Sequence, residues 1–140
     1  MEIIKLCDRL DRNTILESFL TNAGDSLKTF RYFNSRSLEI VKQHKVTLIG
    51  MKNDKPVCYG HLDEDQNKIW LGICTIYSEI GKGYGKMMMN HLINQAIDLQ
   101  ISEIYLAVDI ANQTAWKLYE SFGFILQETK GSSYVYKRCQ

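Results

Sequence analysis

Residues Ile80 to Lys86 read IGKGYGK, with glycine at 81, 83 and 85 and lysine at 82 and 86. Glycine loses more backbone freedom on folding than any other residue, so such a run costs stability unless positive φ or close backbone approach is required. A short apolar stretch, Lys68 to Ile76, precedes the run, and Met88, Leu92, Gln95, Ala96 and Leu99 follow it at intervals of three and four. That order predicts a strand, a glycine loop and a helix. A helix start exposes amide hydrogens without intrahelical partners and carries about half a positive charge, so it attracts anions, phosphate above all. Two phosphate loops fail here on specific positions. The pattern G-x-x-x-x-G-K-[ST] would need glycine at Ile80 and a hydroxyl at Met87. The dinucleotide pattern G-x-G-x-x-G takes Gly81 and Gly83 but needs a third glycine at Lys86. A glycine turn without a ligand is the plain alternative.

The whole chain must position that loop. With 140 residues, 45% of them hydrophobic, residues 1–140 are expected to form one globular domain. The 17 Lys and Arg nearly cancel 16 Asp and Glu, so no global field draws the chain to nucleic acid or to an anionic membrane. Apolar stretches such as Val46 to Met51 fall far short of the ~20 residues of a membrane span. The first residues, MEIIKLCDRL, alternate charged and apolar residues where a secretory signal would be continuous, which suggests a cytoplasmic setting. Cys7, Cys58, Cys74 and Cys139 show no C-x-x-C pair, and His44, His61 and His91 stand in no ligand spacing to them, so no metal site or disulfide is expected.

Periodicity gives an alternating plan. Glu2 to Leu6 reads as a strand, Asp11 to Thr21 as a helix, and Ser35 to Gln43 as a second helix. Lys45 to Lys52, Val57 to Leu62 and Lys68 to Ile76 read as a three-strand meander, with polar turns at Asn53 to Pro56 and Asp63 to Asn67. The helix at Tyr84 to Leu99, the strand Ser102 to Asp109 and the helix Asn112 to Phe122 follow, closed by Gly123 and a hairpin of Phe124 to Thr129 and Ser133 to Lys137. The fold class is α/β: about seven strands in a mixed sheet, with about four helices on both faces.

These residues resemble a known family, the GNAT-superfamily N-acetyltransferases, whose cofactor loop runs R/Q-x-x-G-x-G/A between a central strand and the next helix. Gly83-Tyr84-Gly85 matches its glycine half and Lys82 the basic residue before it. Ala111 to Phe124, ANQTAWKLYESFGF, is similar to the second family signature: an asparagine opening a helix, an L-Y pair, then G-F. Together the two signatures cover residues 70 to 124. The first half of the chain matches only in its order of elements. One position departs: Ile80 stands where the family carries arginine or glutamine, leaving backbone amides to grip the diphosphate.

The resemblance implies acetyl-CoA as acyl donor, lying where the strands Lys68 to Ile76 and Ser102 to Asp109 splay apart. It implies pantetheine pairing with the backbone near Ile73, Cys74 and Thr75. The diphosphate would sit on Gly81, Lys82, Gly83, Tyr84, Gly85 and Lys86. Asn112 either caps its helix or also contacts pantetheine. Tyr119 lies on a stripe with Ala115, Leu118 and Phe122, and spacing alone reads it as a packed tyrosine. The resemblance makes it the acid that protonates the departing thiolate. The reaction implied is direct attack of a primary amine on the thioester. Many family members use a strand glutamate as base, yet Trp70 to Cys74 holds none. His61 on the neighbouring strand titrates near neutrality and is the candidate base, with Asp63 behind it; a structural histidine is the alternative. Cys74 has no histidine placed to activate it as an acyl carrier. Phe30, Arg31, Tyr32 and Phe33 offer aromatic faces and positive charge to the acceptor, a small molecule or a peptide amine. A homodimer through the last hairpin is a further implication of the resemblance.

Overall fold

A computed structural model describes all 140 residues. Seven strands form one sheet: β1 (Glu2–Lys5), β2 (Val46–Lys52), β3 (Lys55–Asp65), β4 (Lys68–Thr75), β5 (Glu103–Asp109), β6 (Ile125–Lys130) and β7 (Ser133–Cys139). Their order is β1-β2-β3-β4-β5-β7-β6, and only β4 and β5 run parallel. Three α-helices are present, α1 (Arg12–Asn22), α2 (Tyr84–Asp98) and α3 (Gln113–Ser121).

The meander turns are dictated locally. Asn53 and Asp54, like Gln66 and Asn67, all adopt positive φ, the conformation a two-residue hairpin turn demands and that Asn and Asp tolerate best. The first turn is tighter than the sequence suggests. Pro56 lies inside β3, opposite Met51 at the register shift between Gly50 and Met51, and bulges are among the few strand positions that take proline.

The segment expected as a second helix, Ser35 to Gln43, differs. It forms a 3-10 helix over Leu38–Gln43, capped by Ser37 accepting from the Glu39 amide, and buries only Val41. With a single buried residue it has no apolar stripe to hold four-residue spacing against the sheet, and the tighter winding is confined to short pieces. Two further 3-10 turns, Gly24–Lys28 and Tyr32–Asn34, connect α1 to it across the sheet.

Each face of the sheet carries its own layer. α2 presses on one face so closely that a β-carbon at Gly60 would lie 2.7 Å from Met88 Cγ and 2.9 Å from Leu92 Cδ1. Met88 and Leu92 are fully buried, each contributing about 1.5–3 kcal/mol of apolar burial. α1 covers the opposite face, where Phe19 packs on Tyr59 at 5.9 Å between ring centroids. The buried residues form a cluster of 25 that runs through both layers. No helix is long and apolar enough to cross a membrane.

The parallel pair β4–β5 makes a single bridge, Trp70 to Tyr105, while every other pair forms a longer ladder. Beyond that bridge the two strands part, and the opening runs toward the β4–α2 loop.

Candidate active site

Two cavities lie along the opening, of about 270 Å³ and 160 Å³, and both are lined by Thr29, Phe30, Arg31, Leu71, Gly72 and Ala107. They are the two halves of one groove. His61 lines the larger half, and Asn112 and Tyr119 line the smaller.

Directly opposed residues of antiparallel strands share a face. His61 opposes Gly72 and Asp63 opposes Trp70. The His61 ring lies over Gly72 so closely that a β-carbon there would be 2.6 Å from Nε2. The imidazole of β3 therefore occupies the space into which a β4 side chain would project. Its Nδ1 is hydrogen-bonded to the Tyr59 hydroxyl at 2.7 Å, and Nε2 has no partner within the chain. Burial, with only 3% of the residue exposed, holds its pKa well below the usual histidine value, and nearby His44 adds to the effect. His61 is neutral at pH 7.

Across the groove, the Tyr119 hydroxyl makes no hydrogen bond within the chain, and its ring packs edge-on against Phe124 at 6.2 Å. Tyr119 is partly buried and its ring packs against the core cluster, as the spacing suggests, while its hydroxyl end lines the smaller half of the groove. Desolvation raises its pKa to about 12. It holds its proton at neutral pH.

The glycine loop leads into α2 as the sequence suggests. Gly81 and Gly83 adopt φ of 87° and 84°, with open space where a β-carbon would project. Gly83 is the N-cap of α2 and no side chain caps it, so the first amides of the helix are left for an external acceptor. The ammonium of Lys82 is paired with Glu79 at 2.6 Å, while Ile80 is 54% exposed. Glu79 also meets Lys52 at 3.5 Å.

Backbone direction alternates along a strand. The Ile76 amide donates to Val57 of β3, so Cys74 also faces β3, while Ile73 and Thr75 face the opening. The Thr75 carbonyl accepts from Ser26 Oγ at 2.6 Å, which leaves Ile73 with both backbone groups toward the groove. Asn112 is the N-cap of α3, its Oδ1 accepting from the Ala115 amide at 3.4 Å; its Nδ2 remains for a second contact. Burial pushes the Cys74 thiol up to about 12, which keeps it protonated and a poor nucleophile.

The four residues expected to meet the acceptor divide. Phe30 lines both halves of the groove. Arg31 is held by Asp109 through two hydrogen bonds, of 3.1 and 2.8 Å. Tyr32 donates to Asp63 at 2.7 Å. Phe33 lines neither half; it packs against Phe30 and Tyr59 at 6.2 and 5.6 Å. The stretch from Thr29 to Tyr32 thus spans the groove from β5 to β3, above Gly72 and Ala107.

Comparison with known proteins identifies the family to which this fold belongs. The profile of the Acetyltransferase (GNAT) family matches residues 12–124. The chain belongs to this family. A curated relative, N-alpha-acetyltransferase 50 of Danio rerio, is 37% identical over 79 residues, which are 52% of this chain and 46% of that protein. The chain thus covers less than half of that relative's length. Among solved structures, the PaiA N-acetyltransferase of Thermoplasma acidophilum in complex with coenzyme A superposes with TM-score 0.79 at 18% identity, covering 100% of both chains. The GNAT domain of S. lividans PAT gives TM-score 0.82 at 14% identity, over 99% of this chain and 89% of that one. At such identities the likeness is one of fold.

Within this GNAT fold, sequence reasoning missed Gly72, Ala107 and His44. Gly72 and Ala107 form the small-residue floor of the groove. His44 is bonded to Tyr32 at 2.7 Å and to Thr47 at 2.8 Å. The alternation of Tyr59, His61, Asp63 and Asp65 was a usable signal for a shared face, but nothing local tied His44 to it.

Proposed function

We propose that this GNAT protein is an acetyl-CoA-dependent N-acetyltransferase, transferring the acetyl group to a primary amine of a small molecule, such as an amino sugar or amino acid, or of a peptide. The observation that carries the reading is the placement of His61 Nε2 and the Tyr119 hydroxyl on the two halves of one groove, each without a partner in the chain.

Bound acetyl-CoA supplies an activated thioester carbonyl. Gly83, Tyr84, Gly85 and Lys86 offer amide donors to the diphosphate, and the Ile73 backbone and Asn112 Nδ2 offer bonds to the pantetheine arm. The open φ-positive glycines and the uncapped α2 start fit an anion of that kind. His61, neutral, accepts the proton that the amine loses as its nitrogen bonds to the carbonyl carbon; for this, Nδ1 carries the ring proton and donates to Tyr59. Tyr119 donates its proton to the sulfur as the carbon–sulfur bond breaks. The products are an N-acetyl amide and free thiol. Four unpaired cysteines, Cys139 exposed, support a reducing, cytoplasmic setting. The edge strand β6 exposes Ile125 and Leu126, the surface for pairing two copies.

Ile80 favours a second reading, a CoA-binding module without turnover, because it removes a polar side chain from the diphosphate loop. Thiol release over a panel of amines, with calorimetry of acetyl-CoA binding, separates the two. Binding with turnover supports the transferase; binding without turnover on any amine supports the module; no binding defeats both.

A further inference from the structure

Three side chains of β3 stand in a row along the larger half of the groove. His61, Asp63 and Asp65 alternate with Leu62 and Glu64 and all line the cavity. Same-face residues recur about every 7 Å along a strand, so the row spans roughly 13 Å.

Neither aspartate has a cationic partner. Glu64 takes Lys45 at 3.3 Å and Asp109 takes Arg31 at 2.8 Å. Lys68, opposite Asp65 in the register, lays its ammonium over the Tyr105 ring at 4.8 Å instead. Asp63 is held by neutral donors alone. Tyr32 donates to it at 2.7 Å, so the Tyr32 oxygen accepts from His44 Nε2–H at 2.7 Å, and His44 Nδ1 accepts from the Thr47 hydroxyl at 2.8 Å. Every donor in that chain points toward Asp63, which orients the carboxylate and leaves its charge intact. At the deep end of the row stands His61, buried, with Nε2 unpartnered. Arg36 is the opposing cation; it lies over the Tyr32 ring at 4.1 Å and bonds the Tyr32 carbonyl. With Arg31 paired to Asp109, two carboxylates without an ion-pair partner face one arginine, and the balance of the wall is acidic.

Resting on the transferase reading, we propose that the acceptor is an aliphatic diamine or polyamine. Its reacting nitrogen faces His61, and a second ammonium about 7 Å or more away is held by Asp63 and Asp65. Trp70, opposite Asp63 and in the cavity wall, covers the chain between them. A neutral tail forgoes the charge-assisted bond, and an anionic tail meets two like charges.

Hexamethylenediamine, hexylamine and aminocaproate share one chain length and differ in the distal group. The diamine is expected to exceed hexylamine in kcat/KM by about tenfold, one charge-assisted hydrogen bond, with aminocaproate lowest. Asp65→Asn, at an exposed position, is expected to bring the diamine-to-hexylamine ratio toward one, and added salt to do the same. Equal rates for diamine and hexylamine would overturn the proposal; so would a preference for aminocaproate, which would give the subsite to Arg36. Calorimetric titration of the three amines supplies the same ranking without turnover. Diamine-first binding with no thiol release would defeat the transferase reading and leave the cation subsite standing, whereas equal binding would overturn the subsite whatever the turnover.

Discussion

The imidazole of His61 fills the space above Gly72, with Nε2 2.6 Å, Cε1 2.8 Å and Cδ2 3.2 Å from where a β-carbon would be. The ring is pinned at Nδ1 by Tyr59 and cannot swing aside cheaply. Gly72→Ala is therefore expected to destabilise the fold by about 1–3 kcal/mol, the usual range for overpacking, and to lower kcat by displacing Nε2. Urea unfolding and steady-state kinetics on the same variant check both. Unchanged stability would mean that the ring has room to move.

Tyr119→Phe keeps the ring against Phe124 and removes a hydroxyl that bonds to nothing in the chain. Its thermal midpoint is expected to stay within a degree or two of the parent protein, since the change keeps the apolar ring contacts and strands no hydrogen-bond partner within the chain. Turnover is expected to fall roughly a hundredfold, the scale of one general acid. A large drop in the midpoint with turnover preserved would return Tyr119 to a packing role.

Two buried histidines tie stability to pH. Burial lowers the pKa of His61 well below 6.5 and that of His44 below 6.5. In the unfolded chain both take a proton near the ordinary value, so the unfolded state binds more protons as pH drops beneath it. Stability is thus fully present above about pH 6.5 and is lost as pH falls toward the folded-state values, at about 1.4 kcal/mol per pH unit for each histidine that stays neutral in the fold. Chemical denaturation between pH 7.5 and 5, in about half-unit steps, measures the slope. His61→Gln is expected to remove its share of it, whereas an unchanged slope would show that His61 titrates normally.

Gly83 holds φ at 84° with open space at its β-carbon position. Gly83→Ala meets no clash, so its effect is confined to the backbone, about 1 kcal/mol of left-handed strain, and to the approach of a diphosphate. KM for acetyl-CoA is expected to rise about tenfold with kcat changed less, since the loop contacts no reacting atom. Calorimetry of acetyl-CoA binding gives an independent reading, and an unchanged affinity would remove the loop from the site.

The sequence alone determined what depends on neighbours in the chain. Glycines at 81, 83 and 85 between a strand and a helix predict an anion site, because helix amides and positive φ are local properties. Asn112 reads as an N-cap, and Asn53-Asp54 as a turn, for the same reason. The helix expected over Ser35 to Gln43 failed where the tertiary context decided, since one buried residue, Val41, could not hold α-helical winding. The site's wiring was also decided in space. Tyr32 and His44 are 12 residues apart, and Tyr32 and Asp63 are 31 apart; Arg31 meets Asp109 across 78. Sheet register alone sets His61 over Gly72. Pairing between distant strands follows from how the two layers close on the sheet, which no local pattern encodes.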